Sequence, residues 1–398
     1  MNLRSALAAA ALALCAAPLA ACASVDQKAA LRDFQDGRYP QARARYEESI
    51  AKDGADDALA RNEAGTIALV QGDVPAAHRH FEEGFNAMED LTSTTGETAL
   101  AMVGSESSKR WKGDPYERCM NAYYLGVTYW LMGDPDNAAA SFKAGVLRDA
   151  DSEKGETQSD FALLWFLMGM AQRDANHSDR GAAALLKAHE LLPGNPWLDP
   201  ARADDANLLV VVDLGLGPEK YATGPSGAEL RFRPRTYRAA YAEVTADGKT
   251  LGRTFRAADV YQQAITRGDK VLDYVNKGKA VFKTAAVITG IGVLSNSGSQ
   301  SSDLIGVGLI LAGLLTPAEA DTRQWDTLPG EVQVLDGRLT PGEHVIVVDV
   351  RDGSGQPIPA ESKTLRVTVT EGRTAFVWTR AALAEQGYVA SDTMVPRP

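Results

Sequence analysis

Reactive and metal-binding side chains are scarce in this 398-residue chain. Cysteine occurs three times, at Cys15, Cys22 and Cys119, and histidine five times, at His78, His80, His177, His189 and His344. With two cysteines in the leading segment, one thiol is left for the body, which excludes an internal disulfide there. The scattered histidines form no ligand set at metal-binding spacing, so neither a metal nor a cofactor is expected. His344 follows Pro-Gly-Glu at the start of a strand-like run and reads as structural or solvent-facing. Positive charge is in deficit: the formal net charge is −11, which disfavours nucleic acid and anionic lipid as general partners. Also absent are a Gly-Xaa-Ser-Xaa-Gly elbow, a phosphate-binding Walker loop, a His-Glu-Xaa-Xaa-His helix and paired Cys-Xaa-Xaa-Cys. Gly290-Ile291-Gly292 lacks the third glycine and the preceding strand of a dinucleotide loop. A non-enzymatic protein is the expectation. What the chain does have, 45% apolar and 23% charged residues, suffices for two or three folded domains.

The leading segment reads as an address. Arg4 and the amino terminus precede an apolar run from Ala6 to Leu14 that is too short to cross a bilayer. It closes on Leu19-Ala20-Ala21-Cys22, which resembles the lipobox of bacterial lipoproteins, whose cysteine is acylated after cleavage. Residues 1–21 are thus read as a lipoprotein signal peptide and Cys22 as the lipidation (palmitate-bearing) residue. Two or more acyl chains hold a protein stably on a membrane. The following Ala23 and Ser24, with no aspartate, resemble the outer-membrane default, which implies a periplasm-facing, lipid-anchored protein.

From 22 to 200 one small pattern recurs. Gly37, Ala42 and Tyr46 share their spacing with Gly72, Ala77 and Phe81 and with Gly133, Ala138 and Phe142; Asn176, Gly181 and Leu185 form a weaker copy. Gly or Asn suits the left-handed residue that ends one helix, the small residue admits a close neighbour, and the large one fills the same face. The pattern resembles tetratricopeptide (TPR) repeats, and the first two copies, 35 residues apart, match that period. The later gaps of 61 and 43 require insertions. Such an array implies a concave protein-binding face. Between copies, Trp111-Lys112-Gly113-Asp114-Pro115-Tyr116-Glu117 sets turn formers beside two aromatics. Trp111, Asp114 and Tyr116 either form an interaction loop or plug the groove between helix pairs.

The remainder, 201–398, is mixed. Leu208–Leu214 reads as a buried strand, Glu229–Phe232 as another, Asp247-Gly248 as a hairpin turn, and Ala257–Asp273 as helical. Within 280–315, Ala285–Leu294 and Leu304–Leu315 are apolar and glycine-rich. As helices each would run under about 20 Å, short of the roughly 30 Å hydrocarbon core. They read either as a buried helical hairpin or as a membrane-dipping, oligomer-forming one. From 325 to 380 the period becomes two: Glu331–Leu335, His344–Val350, Thr364–Thr370 and Thr374–Thr379 are strands between Pro-Gly, Gly-Ser-Gly and Glu-Gly turns. The expected fold is multi-domain α+β: an N-terminal TPR-like α-solenoid, then a small antiparallel β-sandwich-like region, closed by Leu208–Leu214, with an apolar helical hairpin.

The lipobox, the Gly113–Asp134 stretch containing Tyr123-Tyr124-Leu125-Gly126, and Ala320-Asp321-Thr322-Arg323-Gln324-Trp325 with Thr327-Leu328-Pro329-Gly330 together resemble a family of TPR-containing bacterial lipoproteins. The resemblance covers most of the chain, and its motifs name no chemistry. It implies an outer-membrane scaffold that binds protein partners of envelope assembly or export, with homo-oligomers possible. The alternative is a membrane-embedded oligomer or secretion-channel accessory using the glycine-rich runs.

Overall fold

Four times along the chain a residue in the left-handed conformation joins two helices. Gly37 separates α1 (Gln27–Gln35) from α2 (Tyr39–Ile50), and Gly72 separates α3 (Asp57–Val70) from α4 (Val74–Glu89). Gly133 separates α5 (Pro115–Leu131) from α6 (Pro135–Asp151), and Asn176 separates α7 (Ala162–Asp174) from α8 (Ser178–Leu191). Their φ angles are 74°, 78°, 83° and 64°. The same hydrogen bond closes each turn: Arg38 N to Asp33 O, Asp73 N to Ala68 O, Asp134 N to Tyr129 O and His177 N to Gln172 O. Each is the six-residue closure by which a helix ends on a left-handed residue. These details come from a computed structural model that describes residues 26–52, 56–89, 110–151, 161–224, 227–266 and 320–382. Cys22 and the glycine-rich runs within 280–315 lie outside the described residues.

Within each pair a large side chain on the second helix seats on a small residue of the first. Tyr46, Phe81, Phe142 and Leu185 are all buried, as the repeat pattern predicts. Sixteen positions earlier stand Ala30, Gly65, Gly126 and Gly169, which complete the repeat pattern on the first helix of each pair. A Cβ on Gly65 would lie 2.8 Å from Phe81 Cε1, one on Gly169 2.7 Å from Leu185 Cγ, and one on Gly126 would run into the Phe142 ring. The missing side chain lets the helix axes approach, and the ring fills the space.

After a short 3₁₀ turn (Pro196–Leu198) and a one-turn helix, α9 (Pro200–Ala203), the chain turns to strands: β1 (Leu208–Leu214), β2 (Glu219–Thr223), β3 (Glu229–Arg233), β4 (Ala239–Ala246), β5 (Lys249–Arg253) and β6 (Phe255–Asp259). Helix α10 (Val260–Thr266) follows, then β7 (Glu331–Gly337), β8 (Gly342–Asp352), β9 (Lys363–Val369) and β10 (Ala375–Ala381). They form two four-stranded sheets, β10-β1-β7-β6 and β5-β4-β8-β9, beside a β2–β3 hairpin. Asp247 (φ 50°) and Gly248 (φ 78°) make the β4–β5 turn, the pair of left-handed residues that suits a two-residue hairpin.

Burial separates the sheets. All seven residues of β1 are buried, whereas β4 and β8 alternate between buried and half-exposed positions. The first sheet therefore lies between the helices and the second sheet, and only the second presents a face to solvent. One apolar core runs from α3 through α8 into both sheets, and a smaller cluster joins α1, α2 and α3 to Leu216.

Two details differ from the sequence expectation. The sheets are not purely antiparallel: β1 pairs parallel with β10 (Leu208 opposite Ala375) and antiparallel with β7. A parallel neighbour carries no hairpin signal, because its partner lies far away in sequence. The helix expected from Ala257 begins only at Val260, since Phe255–Asp259 pairs with β7 as a strand.

Gly126→Val should lower the stability read from urea unfolding by about 1–3 kcal/mol, the usual cost of overpacking. The same substitution at solvent-open Gly353, where an added Cβ meets nothing, should leave the unfolding midpoint nearly unchanged.

Candidate functional site: an interior groove filled by the chain itself

The first helices of the pairs, α3, α5 and α7, turn polar side chains toward the strands, and the segment Asp321–Leu328, with a turn at Asp326-Thr327, lies against α3 and α5. Glu63 on α3 has no solvent exposure. Its Oε1 accepts from Asp326 N at 2.6 Å, and its Oε2 accepts from Thr327 N at 3.2 Å and Thr327 Oγ1 at 2.6 Å. Glu117 on α5, equally buried, accepts at Oε1 from Trp325 N at 2.9 Å. Two carboxylates on neighbouring inner helices thus hold the main chain of three consecutive residues.

Between them sits Trp325, 2% exposed. Its indole Nε1 donates to Thr66 Oγ1 (3.2 Å) and Thr327 Oγ1 (3.1 Å). Its ring lies 5.6 Å from that of Tyr124 and 6.0 Å from that of Phe81, and those two rings stack on each other at 5.0 Å. The indole is therefore enclosed by apolar rings while its one donor is satisfied, the condition for burying tryptophan without loss.

Lys220 on β2 closes the near end. Its ammonium, 2% exposed, meets Asp114 Oδ2 at 2.8 Å, Glu117 Oε2 at 2.7 Å and Arg323 O at 3.0 Å. It donates to Glu117 Oε2 and Arg323 O, and Asp114 adds a second negative charge beside it. Burial alone would lower the lysine pKa, but Asp114 and Glu117 outweigh it and hold the pKa above its ordinary value. Arg323 reaches out to Asp321 and to Asp56 at the start of α3, the latter at 2.7 Å. Asp326 pairs with the buried Arg235 and accepts from Gln324 Nε2 at 2.6 Å. Farther along, Tyr123 and Tyr124 donate to the two oxygens of Asp213 on β1 at 2.7 and 2.8 Å. Asp174, at the end of α7, receives Trp130 Nε1 (2.9 Å), Arg373 Nε (3.0 Å) and Thr374 N (2.7 Å).

Burial decides the protonation of this groove. Desolvation, then the nearby Asp326 charge, raises Glu63 from the ordinary 4.5 to about 8, against the lowering effect of the hydrogen bonds from residues 326 and 327. Burial likewise raises Asp213, opposed by Arg380 and the two tyrosine hydroxyls. The arrangement recognises backbone and indole groups, which is binding chemistry. Among the described residues no group of three or more His, Cys, Asp or Glu could hold a metal ion.

The segment singled out in the sequence belongs to this site from the inside. Trp111, Asp114 and Tyr116 are 3%, 5% and 2% exposed. Trp111 Nε1 donates to Arg323 O at 3.4 Å, and Tyr116 packs edge-on to Phe232 of β3, with centroids 5.8 Å apart. Asp114 and Glu117 cap α5 reciprocally. All three side chains are buried, with Trp111 and Tyr116 turned toward Arg323 and β3. The capping box Asp114-Xaa-Xaa-Glu117 is a sequence signal that marks this point. Glu63, Lys220, Asp213 and Asp174 carry none, since an isolated acid or lysine on a helix or strand reads as surface charge. His344 does have partners, Asp247 Oδ2 and Thr340 O, both at 2.7 Å, in keeping with a structural role.

No protein-family description matches the chain, and no curated protein matches it in sequence. Among solved structures, MamA is similar over 41% of this chain and 73% of its own, at 12% identity and a TM-score of 0.29. A thermophilic TPR protein of Thermus thermophilus is similar over 44% and 95% respectively, at 17% identity and a TM-score of 0.21. At those values neither likeness carries a function across to this chain.

Trp325→Ala should cost about 3–5 kcal/mol in urea unfolding, typical of an emptied aromatic site. A loss below about 1 kcal/mol would mean that the array does not depend on its filling. Because Glu63 holds its proton up to about pH 8 in the folded chain but only to the ordinary 4.5 when unfolded, its contribution to stability is fully present below the lower value. It is lost as the pH rises through the interval between the two and is flat above it. Glu63→Gln should remove that component: between about pH 5 and about pH 9 the variant should lose less stability than wild type. Parallel profiles would show that Glu63 is not the titrating group.

Proposed function

We propose that this chain is a non-catalytic scaffold, lipid-anchored through Cys22 to the periplasmic face of the outer membrane, that recruits proteins of envelope assembly or export. The observation that carries the reading is the use the helix pairs make of their inner face. Helices α3 and α5 hold a segment of the chain by its backbone N–H groups and one aromatic anchor, which is how a protein recognises protein. Because Asp321–Leu328 already fills that face, partners dock elsewhere. The outer helices leave Leu147 on α6 and Leu186 on α8 more than half exposed, at 56% and 53%. Single exposed apolar side chains are common on surfaces, and these two mark the outer helices as the face to test. The membrane half of the reading rests on the lipobox. No helix among the described residues is long and apolar enough to cross a membrane.

Fractionation of cells expressing wild type and Cys22→Ala, with mass spectrometry of the mature amino terminus, tests the anchor. Acylated Cys22 in outer-membrane fractions, with the variant released to the periplasm, is the expected result. A variant that stays in the membrane would move the anchor to Ala285–Leu294 and Leu304–Leu315 and favour the membrane-embedded oligomer or secretion-channel accessory. Cross-linking should then capture a partner that Leu147→Asp with Leu186→Asp loses. An unchanged capture would remove the outer helices from the proposal.

A further inference from the structure

The chain passes from the second sheet to the first at Arg253–Phe255, where β5 ends and β6 begins. A cleft of about 620 Å³ opens beside this crossing, between the first residues of β4, β7, the β8–β9 loop and the stretch after α8. That volume lies in the usual range for small-ligand sites. Its wall carries three arginines, Arg238, Arg253 and Arg256, and three part-exposed rings, Tyr237, Tyr241 and Phe255, against one carboxyl group, Glu331. Glu331 is 3% exposed, and its Oε1 accepts from Gln333 Nε2 at 2.9 Å. Arg238 and Arg256 lean on acids of the rim, Asp352 at 3.4 Å and Asp259 at 2.9 Å. The exposed Arg253 pairs with no carboxylate among the described residues. Its guanidinium lies instead over the Phe255 ring, 4.7 Å from the centroid, and 5.8 Å from that of Tyr241. A ring against the face of a guanidinium leaves its in-plane N–H fork free, and that fork matches a carboxylate or phosphate. A second cleft, of about 630 Å³, shows the contrast: its Arg173, Arg338 and Arg373 are each paired, with Asp204, Asp205 and Asp174.

The backbone around the cleft has nothing to offer a further strand. Pairing of β4 with β5 ends at Glu243 and Arg253. Beyond that point side chains close the margin of β4: Gln333 Nε2 donates to Ala240 O at 2.8 Å, and Ala242 N donates to Thr254 Oγ1 at 2.9 Å. Recognition here therefore falls to side chains, which suits a small molecule and not an added peptide strand. We propose that the cleft is a binding site for a small organic anion, a carboxylate or phosphate group on a body with an apolar face. The Arg253 fork takes the oxyanion through two parallel hydrogen bonds, and the body lies against the open parts of the Tyr237 and Tyr241 rings. A net charge of −11 repels anions from the chain as a whole, so binding depends on this one fork. The site makes no use of Cys22 or of the outer helices, and its failure leaves the scaffold reading untouched.

Ligand-observed NMR and calorimetry on the full chain test the site with benzoate, phenyl phosphate, benzamide and inorganic phosphate as probes. Benzoate or phenyl phosphate should bind saturably at millimolar concentration, and the tighter of the two identifies the anion as carboxylate or phosphate. Benzamide lacks the charge and inorganic phosphate lacks the apolar face, so each should bind at least about tenfold more weakly. Arg253→Gln should weaken the better anion by about tenfold or more. Arg253→Lys, which keeps the charge but not the fork, should fall between Arg253→Gln and wild type. Arg366→Gln, at an exposed arginine on β9 outside the cleft, should change nothing. Trp197 Nε1 bonds to the Arg253 carbonyl and not to its side chain, so the urea midpoints of the Arg253 variants should match wild type. No saturable binding of either organic anion overturns the proposal. So does benzamide binding as tightly as benzoate, inorganic phosphate as tightly as phenyl phosphate, or an unchanged affinity in Arg253→Gln.

Discussion

Everything between the helices and the strands is organised around two carboxyl groups that have no access to water. Glu63 and Glu117 stand on neighbouring inner helices with no solvent exposure, and a carboxyl group in that position is costly unless its oxygens are occupied. The backbone of Trp325, Asp326 and Thr327 occupies them. That match fixes where residues 325–327 lie along the array, and β7 begins only four residues later, at Glu331. Since β7 pairs with both β1 and β6, the position of the first sheet follows from the same constraint. Lys220 adds a third point by joining β2 to the Glu117 carboxyl group. The helices and strands are therefore joined through satisfied polar groups as well as by apolar burial, and the polar groups decide the register.

The repeats are legible in the sequence because each is a local event. A left-handed residue, a small one and a large one stand within ten positions of each other, and their spacing is the physics of one helix pair. The strands are legible for the same reason, through alternation and turn residues such as Asp247-Gly248. What depends on distant parts of the chain is not legible. The parallel pairing of β1 with β10 joins residues far apart in sequence, and nothing near Leu208 announces Ala375. Glu63 looks like any acid on an amphipathic helix until Thr327 is seen beside it. Trp111 and Tyr116 could face either way on sequence grounds. Their inward orientation depends on Arg323 and Phe232, which belong to other parts of the fold.

The groove also changes what the helix pairs can be expected to do. An array with an open inner face offers that face to other proteins. Here the part of the face on α3 and α5 is filled by a segment whose Trp325 indole, Thr327 hydroxyl and backbone N–H groups of residues 325–327 find partners, so the array behaves as a cradle for its own strands. That part of the inner face is thereby occupied by the chain itself. The two edges of the array differ in kind: one consists of four tight turns, and the other gathers the helix starts, the β2–β3 hairpin and the point where Ala320 joins the fold.

The strand order has a consequence for how the molecule comes into being. β1 lies between β7 and β10 in the first sheet, so it has neither neighbour until the last described stretch of the chain has been made. A nascent chain emerging amino end first presents the eight described array helices, with Glu63, Glu117, Asp174 and the inner aromatics still unmatched, before the residues that match them exist. Contacts so distant in sequence form late. A chain cut short after α8 would therefore be an array with unpaired acids along its inner face, so the helical half depends for its own stability on residues that are synthesised last.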